Sequence, residues 1–267
     1  WNTPYKNIRR VNLLLSKLPE APFAEATKTR LRAEARFLRA FYYHHLVAAF
    51  AGVPLIGDKI FGINDIINIP RSSYSDCVSY ITSELDAAAA DLAPVVYKDI
   101  DYGRVTEGAC LALKSRVLLY AASPLFNGES VSNDADVIPL VGYPVKDKNR
   151  WKLAADAAEA VIKLNDYSLH VDNTTRPGYG FYQLFLRRVN SEYIFAYNRP
   201  VQKEFEAYYL PPTRSGASTM RPTQNLVESF PMRDGTPILE SSTYDPNNPY
   251  VNRDPRLDNS IIYNGMV

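Results

Sequence analysis

Apolar residues recur every three or four positions along the first 165 residues, which is the spacing of one face of an α-helix. The clearest stripe begins near Thr27 and continues until Gly52 and Pro54 interrupt it. Because glycine and proline both disfavour helix continuation, the pattern predicts one long helix that ends there. Its expected inward positions are Leu31, Ala35, Leu38, Tyr42, Leu46 and Ala49.

The same period predicts four more helices. One covers Trp1 to Leu18, and others begin near Ser73, Thr106 and Trp151. Ser73 and Asp76 resemble a capping box, while Pro94 and Pro124 end the second and third of these segments. The expected inward positions are Tyr5, Ile8, Asn12 and Leu15; Tyr74, Cys77, Ile81, Leu85, Ala88 and Leu92; Ala109, Leu113, Val117 and Tyr120; and Ala154, Ala155, Ala158, Val161 and Ile162.

The composition changes after Asn165, where Pro, Gly, Asn, Ser and Tyr become frequent and the helical period fades. Ser191 to Tyr197 alternates loosely enough to predict a strand. Two short helices are expected, at Phe181 to Arg187 and at Thr223 to Phe230. The remainder, including Pro211–Thr223 and Tyr244–Arg256, is expected to form ordered loops, which often carry binding residues.

These patterns predict a mainly α fold in which antiparallel helix pairs stack like degenerate tetratricopeptide (TPR) repeats. The repeat is degenerate because the spacing of the helices is irregular and Asn127–Asn149 interrupts any fixed period. We expect a single domain, with residues 1–165 as a helical scaffold and residues 166–267 as a loop-rich, ligand-facing region.

The formal net charge of +1 provides no long-range field for nucleic acid, so a nucleic-acid partner is not expected. The longest apolar stretch, Leu46 to Ile56, is too short to span a bilayer. Cys77 and Cys110 are expected to be buried thiols, although a disulfide between their helices stays open.

Sequence motifs for catalysis or metal binding are lacking, and we expect no cofactor, no metal and no catalysis. His44 and His45 are adjacent, so on a helix their side chains diverge and cannot hold one metal. The Asn133–Asp136 cluster lacks the spacing of an EF-hand and is interpreted as an exposed turn. A glycosidase carboxylate pair stays an open alternative, because its two acids can come from distant positions.

Tyrosine is the aromatic residue that stands out, with 19 Tyr against 11 Phe. Its flat ring and hydroxyl suit sugar rings, which present C–H patches beside hydroxyl groups. Tyr208 and Tyr209 lie in a polar stretch just before Pro211 and Pro212, and Tyr179 lies between two glycines. We therefore predict a ligand-binding surface, with Asn198 and Arg199 supplying hydrogen bonds or gripping an acidic sugar. The predicted ligand-binding residues are Tyr208, Tyr209, Tyr179, Asn198 and Arg199; the alternative for each tyrosine is a place in the core.

Several segments, in order, resemble the SusD/RagB family. The first runs from Arg32 to Tyr43 and leads to Gly52-Val53-Pro54-Leu55. The others are Gly103-Arg104-Val105-Thr106 with Ala112 to Val117 and Tyr120 to Phe126; Trp151 with Ala154, Ala155 and Ala158; Arg221 to Val227 with Asp234-Gly235; and Arg253-Asp254-Pro255-Arg256-Leu257. Arg32, Arg36 and Arg39 share one helical face, where we expect ion pairs with carboxylates or contacts with helix-terminal carbonyls. Asp254-Pro255-Arg256 is expected to be a turn with an internal ion pair.

The resemblance implies a cell-surface protein of the outer membrane that captures an oligosaccharide for a SusC-like, TonB-dependent transporter. It also implies an N-terminal lipid anchor and further C-terminal sequence, so we interpret the chain as part of a longer protein. Two alternatives stay open. RagB-type members of the family serve peptide uptake on the same scaffold, and a helical-repeat protein can act purely as a scaffold for protein partners.

Overall fold

The computed structural model describes residues 2–200 and 202–266; Trp1, the first residue of the predicted N-terminal helix, lies outside them. The described residues form α-helices, short 3₁₀ turns and loops, and they contain no β-strand. The mainly α fold class is thus confirmed. The helices are α1 (Asn2–Lys17), α2 (Glu25–Phe50), α3 (Tyr74–Leu92), α4 (Glu107–Ala122), α5 (Ile138–Val141), α6 (Asn149–Lys163), α7 (Tyr179–Leu186), α8 (Glu204–Tyr209), α9 (Gln224–Ser229) and α10 (Pro255–Ser260).

The chain divides into two compact units. The first contains the residues up to Tyr167 together with Ile194–Ala196, and the second contains Ser168–Tyr193 and the residues from Tyr197 onward. In the first unit α1 packs on α2, α2 on α3, α3 on α4, and α4 on α6. Because each long helix contacts the next one along the chain, the unit has the layered, TPR-like arrangement expected of stacked helix pairs.

The starts of α3 and α4 show how local sequence sets the helix boundaries. The Ser73 hydroxyl accepts a hydrogen bond from the Asp76 amide at 3.0 Å, as the capping pattern predicts. The Thr106 hydroxyl accepts one from the Ala109 amide at 3.1 Å. Each cap satisfies an amide that has no partner within its own helix, so both helices begin at the residue after the cap.

The core of the first unit departs from the predicted stripe in α2. Leu46 and Ala35 are buried as expected, but Phe37 and Tyr43 are also buried, while Ala49 is exposed. The reason is that α2 packs on both α1 and α3, so two of its faces are covered. Three further positions were wrong, since Tyr120 of α4 and both Ala155 and Ile162 of α6 are exposed. In α6, Ala154 and Ala157 are the buried alanines.

Arginine–carboxylate pairs join α2 to α3. Arg39 and Arg36 both bind Glu84, with closest N–O distances of 2.7 Å and 2.9 Å. Arg32 pairs with Asp91 at 3.0 Å. The predicted ion pairs of these arginines therefore form, with carboxylates of the neighbouring helix.

A buried amide connects the same cluster to the loop that follows α2. Asn12 of α1 accepts a hydrogen bond from Arg39 at 2.9 Å and donates to the carbonyls of Gly57 and Lys59 at 2.7 and 2.9 Å. Asn12 was placed on the inward face because of its spacing, and these bonds explain how a buried amide is satisfied.

The second unit contains α7 to α10 and has a small core formed by Val227, Leu257 and Ile261. The positions of α7 and α9 confirm the two predicted short helices. The predicted strand at Ser191–Tyr197 was wrong, because this segment is irregular. Within it, Phe195 belongs to the first unit, where its ring packs on Phe37 with the ring centroids 5.1 Å apart.

Candidate functional site

Three aromatic side chains occupy one face of α8. Phe205, Tyr208 and Tyr209 are spaced at i, i+3 and i+4, and they are 53%, 42% and 45% exposed. Half-exposed rings on one helical face leave an apolar surface in contact with solvent. We call Phe205, Tyr208 and Tyr209 the aromatic face.

The local sequence explains why this short helix forms. Glu204 and Glu206 lie in its first turn, where negative side chains interact favourably with the helix N-terminus. Beyond Leu210 the chain turns back, so that the amides of Ala217 and Thr219 each donate a 2.8 Å hydrogen bond to the carbonyls of Ala207 and Tyr208. These bonds hold the C-terminal end of α8 in place and fix the position of both tyrosines.

Arg199 lies beside the aromatic face. Its Nη2 atom is 2.7 Å from a Glu204 carboxylate oxygen, and its guanidinium carbon lies 5.7 Å from the centroid of the Phe205 ring. The ion pair and the cation–π contact orient the guanidinium next to the rings while leaving part of it in solvent. Asn198 precedes it and is exposed, as is Tyr197.

Tyr179 belongs to a different element from the other predicted residues. It begins α7, is half-buried, and its ring centroid lies 6.0 Å from that of Tyr182. The helix α7 packs on α10. The structure therefore groups Tyr208, Tyr209 and Arg199 around α8 and places Tyr179 on another helix.

Sequence reasoning missed Phe205. A signal for it was present, because Phe205, Tyr208 and Tyr209 have the spacing of one helical face. The signal was hard to use, since a helix of six residues is less than two turns long and its period cannot be measured.

The remaining candidate residues are the two histidines of α2, the two cysteines and the acidic turn at Asn133–Asp136. His44 is partly buried and His45 is exposed, on the same helix. Both cysteines are buried and free, and burial raises the pKa of the Cys110 thiol to about 12. The Asp134 carboxylate accepts a hydrogen bond from the Asp136 amide at 2.9 Å in an exposed turn, as expected. Across residues 2–200 and 202–266, no group of three His, Cys, Asp or Glu side chains could hold a metal ion.

Two of the concave regions in the first unit differ sharply in their lining. One, of about 360 Å³, is lined by Arg32, Arg36, Arg39 and Glu84, whose charges are already paired as described above. The other, of about 460 Å³, is a more apolar groove between α1 and the loop after α2, lined by Tyr5, Ile56, Phe61 and Ile67 among others. Among the described helices, none is both long enough and apolar enough to cross a membrane.

Stacked helix pairs in the first unit, and short helices with loops in the second, define a mainly α protein of the helical-repeat class. Two family models match the sequence: one described as "Starch-binding associating with outer membrane" matches residues 1–119, and one described as "SusD family" matches residues 181–267. The chain belongs to the SusD/RagB family.

Relatives and solved structures agree with this assignment. SusD-like protein P38 of Formosa agariphila is 32% identical over 120 residues, which is 45% of this chain and 22% of that protein. A SusD-like carbohydrate-binding protein of Bacteroides fragilis superposes with a TM-score of 0.75 at 28% identity, covering 100% of this chain and 46% of that one. A second SusD-like protein of B. fragilis superposes with a TM-score of 0.72 at 28% identity, covering 97% and 48%. The chain thus spans about a fifth of the matched curated relative and about half of these solved structures.

Proposed function

We propose that the chain is part of a cell-surface glycan-binding protein that captures an oligosaccharide without cleaving it. The aromatic face of α8, with Arg199 beside it, is the observation that carries this proposal. Exposed rings on a helix whose C-terminal end is held by hydrogen bonds provide an apolar platform, and the tyrosine hydroxyls and the guanidinium provide hydrogen bonds at its edge. A platform of this kind suits a sugar ring.

The proposal includes the wider role expected of the family. The protein would be held at the outer membrane by a lipid anchor and would deliver its ligand to a SusC-like, TonB-dependent transporter. Support comes from the family assignment and from the carbohydrate-binding relative in B. fragilis. Copurification of the full-length protein with a barrel transporter from outer membranes is the expected result for this partner.

The glycan site can be tested by replacing both tyrosines with alanine, Tyr208→Ala with Tyr209→Ala. Loss of two stacking rings at a binding surface costs on the order of 1 to 2 kcal/mol each, so the affinity for a glycan should fall by about thirtyfold to several hundredfold. Affinity gel electrophoresis against a panel of neutral and acidic glycans identifies the ligand, and calorimetry then measures the change.

Two controls separate the site from general effects. Tyr120→Ala removes an exposed tyrosine of α4 in the first unit, and its affinity should equal that of the parent protein. Tyr208→Phe with Tyr209→Phe retains both rings and should restore most of the binding. Absence of binding across the whole panel would contradict a glycan ligand, a peptide ligand would point to the RagB-like alternative, and cleavage of the bound glycan would contradict a pure binding role.

A further inference from the structure

A second cavity, of about 250 Å³, lies within the second unit and is lined by three arginines from separate segments. Arg176 precedes α7, Arg233 follows α9, and Arg253 precedes α10. We call this space the arginine cavity. Asp258 and Asn259 of α10 line it as well, together with Tyr250.

Arg253 is the most deeply buried of the three, with only 6% of its surface exposed. Its guanidinium donates hydrogen bonds to the carbonyls of Val227, Phe230, Pro231 and Pro249, at 2.8, 2.6, 3.4 and 2.7 Å. These four acceptors are neutral and use four of the five N–H donors. Within the described part of the chain, no carboxylate pairs with Arg253. A buried positive charge without a counter-ion is unfavourable, which makes an anion in this cavity stabilising.

Arg176 and Arg233 are also unpaired with any carboxylate among residues 2–200 and 202–266. Arg176 binds the neutral Asn259 side chain at 3.3 Å and lies 5.5 Å from the centroid of the Tyr182 ring. The single acidic lining residue, Asp258, accepts a 2.6 Å hydrogen bond from the Tyr263 hydroxyl. Three arginines against one carboxylate leave an excess of positive charge around the cavity.

The first unit shows that this chain does pair its clustered arginines with acids. There, Arg32, Arg36 and Arg39 each have a carboxylate oxygen within 3.0 Å. Among residues 2–200 and 202–266, the arginines of the arginine cavity have no such carboxylate partners, although one of them is buried. Its charge is therefore available to a ligand.

We propose that the arginine cavity binds the carboxylate of a uronic acid residue in an acidic oligosaccharide. The planar fork of an arginine matches a carboxylate in two parallel hydrogen bonds, and two partly exposed arginines at one cavity can hold both oxygens. The Tyr250 ring, which stacks on Tyr263 with the ring centroids 4.0 Å apart, adds apolar surface to the lining, and the Asn259 side chain adds polar surface. A space of about 250 Å³ suits one sugar ring, since pockets for larger ligands measure about 300 to 1,000 Å³. That the ligand is a sugar rests on the proposed function.

The test compares methyl β-glucuronide with its methyl ester, which has the same ring but no charge. Both are titrated into the whole chain labelled with ¹⁵N, and the arginine Nε–Hε signals are followed by NMR. The free acid should shift the signals of Arg176 and Arg233 and bind at least about tenfold more tightly than the ester, since bonds between two charged groups are roughly twice as strong as neutral ones.

The variant Arg176→Gln with Arg233→Gln should weaken binding of the free acid by about tenfold or more, with a smaller dependence on salt. Both residues are exposed, so the fold should persist, and Arg253 is left in place because it ties four carbonyls together. Arg188→Gln removes another exposed arginine of the same unit and should leave the affinity unchanged. Equal binding of acid and ester, or full affinity in the double variant, would overturn the inference.

Two further outcomes separate this inference from the proposed function. Tyr208→Ala with Tyr209→Ala should keep its affinity for the glucuronide; loss of that affinity would place the sugar acid on α8 and overturn the inference. Tighter binding of an N-acetylated tripeptide than of its C-terminal amide, with no response to the glucuronide, would assign the cavity to a peptide carboxylate and also overturn it. If the glucuronide binds in the arginine cavity while neutral glycans do not bind to the aromatic face of α8, the inference is supported and the proposed glycan site on α8 is contradicted.

Discussion

His44 shows how a single side chain can link burial to pH. It lies on α2, partly buried, with His45 and Arg116 as neighbours. Burial first, and then electrostatic interactions with these neighbours, lower its pKa from 6.5 to about 4. In the folded protein His44 is therefore neutral well below the pH at which an unfolded histidine takes up a proton.

This difference predicts a loss of stability in acid. Between pH 6.5 and about 4 the unfolded chain binds a proton at His44 that the folded chain does not, so the free energy of unfolding falls across that window and this contribution is constant outside it. The full effect is about 3 kcal/mol. His44→Gln should lack this effect. In urea unfolding, the free energy of unfolding should therefore fall more between pH 7 and pH 4 for the parent protein than for the variant. His45→Gln removes only a lesser cause of the shift and should retain most of the slope, and parallel curves for parent and His44→Gln would contradict the prediction.

The residues of the candidate site were only partly accessible from sequence. Tyr208 and Tyr209 could be named because their flanking residues are polar and lead into two prolines. Arg253 was noted only as the first residue of a family-like segment, next to the expected turn at Asp254-Pro255-Arg256. The Asp254–Arg256 ion pair of that turn does form, with an Nε–Oδ1 distance of 3.0 Å. Three of the four carbonyls that surround Arg253 belong to Val227, Phe230 and Pro231, more than twenty residues earlier in the chain, and the sequence next to Arg253 gives no indication of such distant partners.

At the scale of elements, long helices were predictable and their partners were not. The stripes of α3 and α4 place Ile81, Leu85, Leu113 and Val117 in the core, as found. A stripe of apolar positions indicates which face of a helix is buried, but not how many neighbouring helices cover it. The second buried face of α2 was missed for this reason. Short helices such as α5 and α8 have fewer than two turns, so their periodicity cannot be recognised in the sequence.

The ion pairs between α2 and α3 allow a matched test of burial. Glu84 is buried and holds both Arg36 and Arg39, so Glu84→Gln leaves a buried guanidinium with reduced compensation. The free energy of unfolding should fall by about 3 kcal/mol. Asp91→Asn removes the more exposed pair with Arg32 from the same two helices and should cost less than about 1 kcal/mol. Chemical denaturation of both variants measures the difference, and equal losses would show that burial does not set the strength of these pairs.

At the scale of the whole molecule, the two units differ in how much apolar surface they bury. The first has a continuous core extending from Ile8 through Phe37 and Leu85 to Ala121, whereas the second has a small one around Leu257. The second unit also contains both proposed ligand surfaces. Local stability follows buried apolar contacts, so the ligand-facing unit should open more readily than the scaffold.

Hydrogen exchange followed by mass spectrometry tests this difference and its consequence for binding. Without ligand, amides of α2, α3 and α4 should exchange slowest, and those of α8 and the segment that turns back to it, Ala217–Met220, among the fastest. A glycan that stacks on Tyr208 and Tyr209 stabilises the state in which that segment is closed, because it binds the folded surface and not the open one. Added protection should therefore appear at residues 204–220 and be absent from Tyr208→Ala with Tyr209→Ala. Protection that rises first in α2 to α4 would instead locate the ligand on the helical scaffold and argue against the aromatic face as its site.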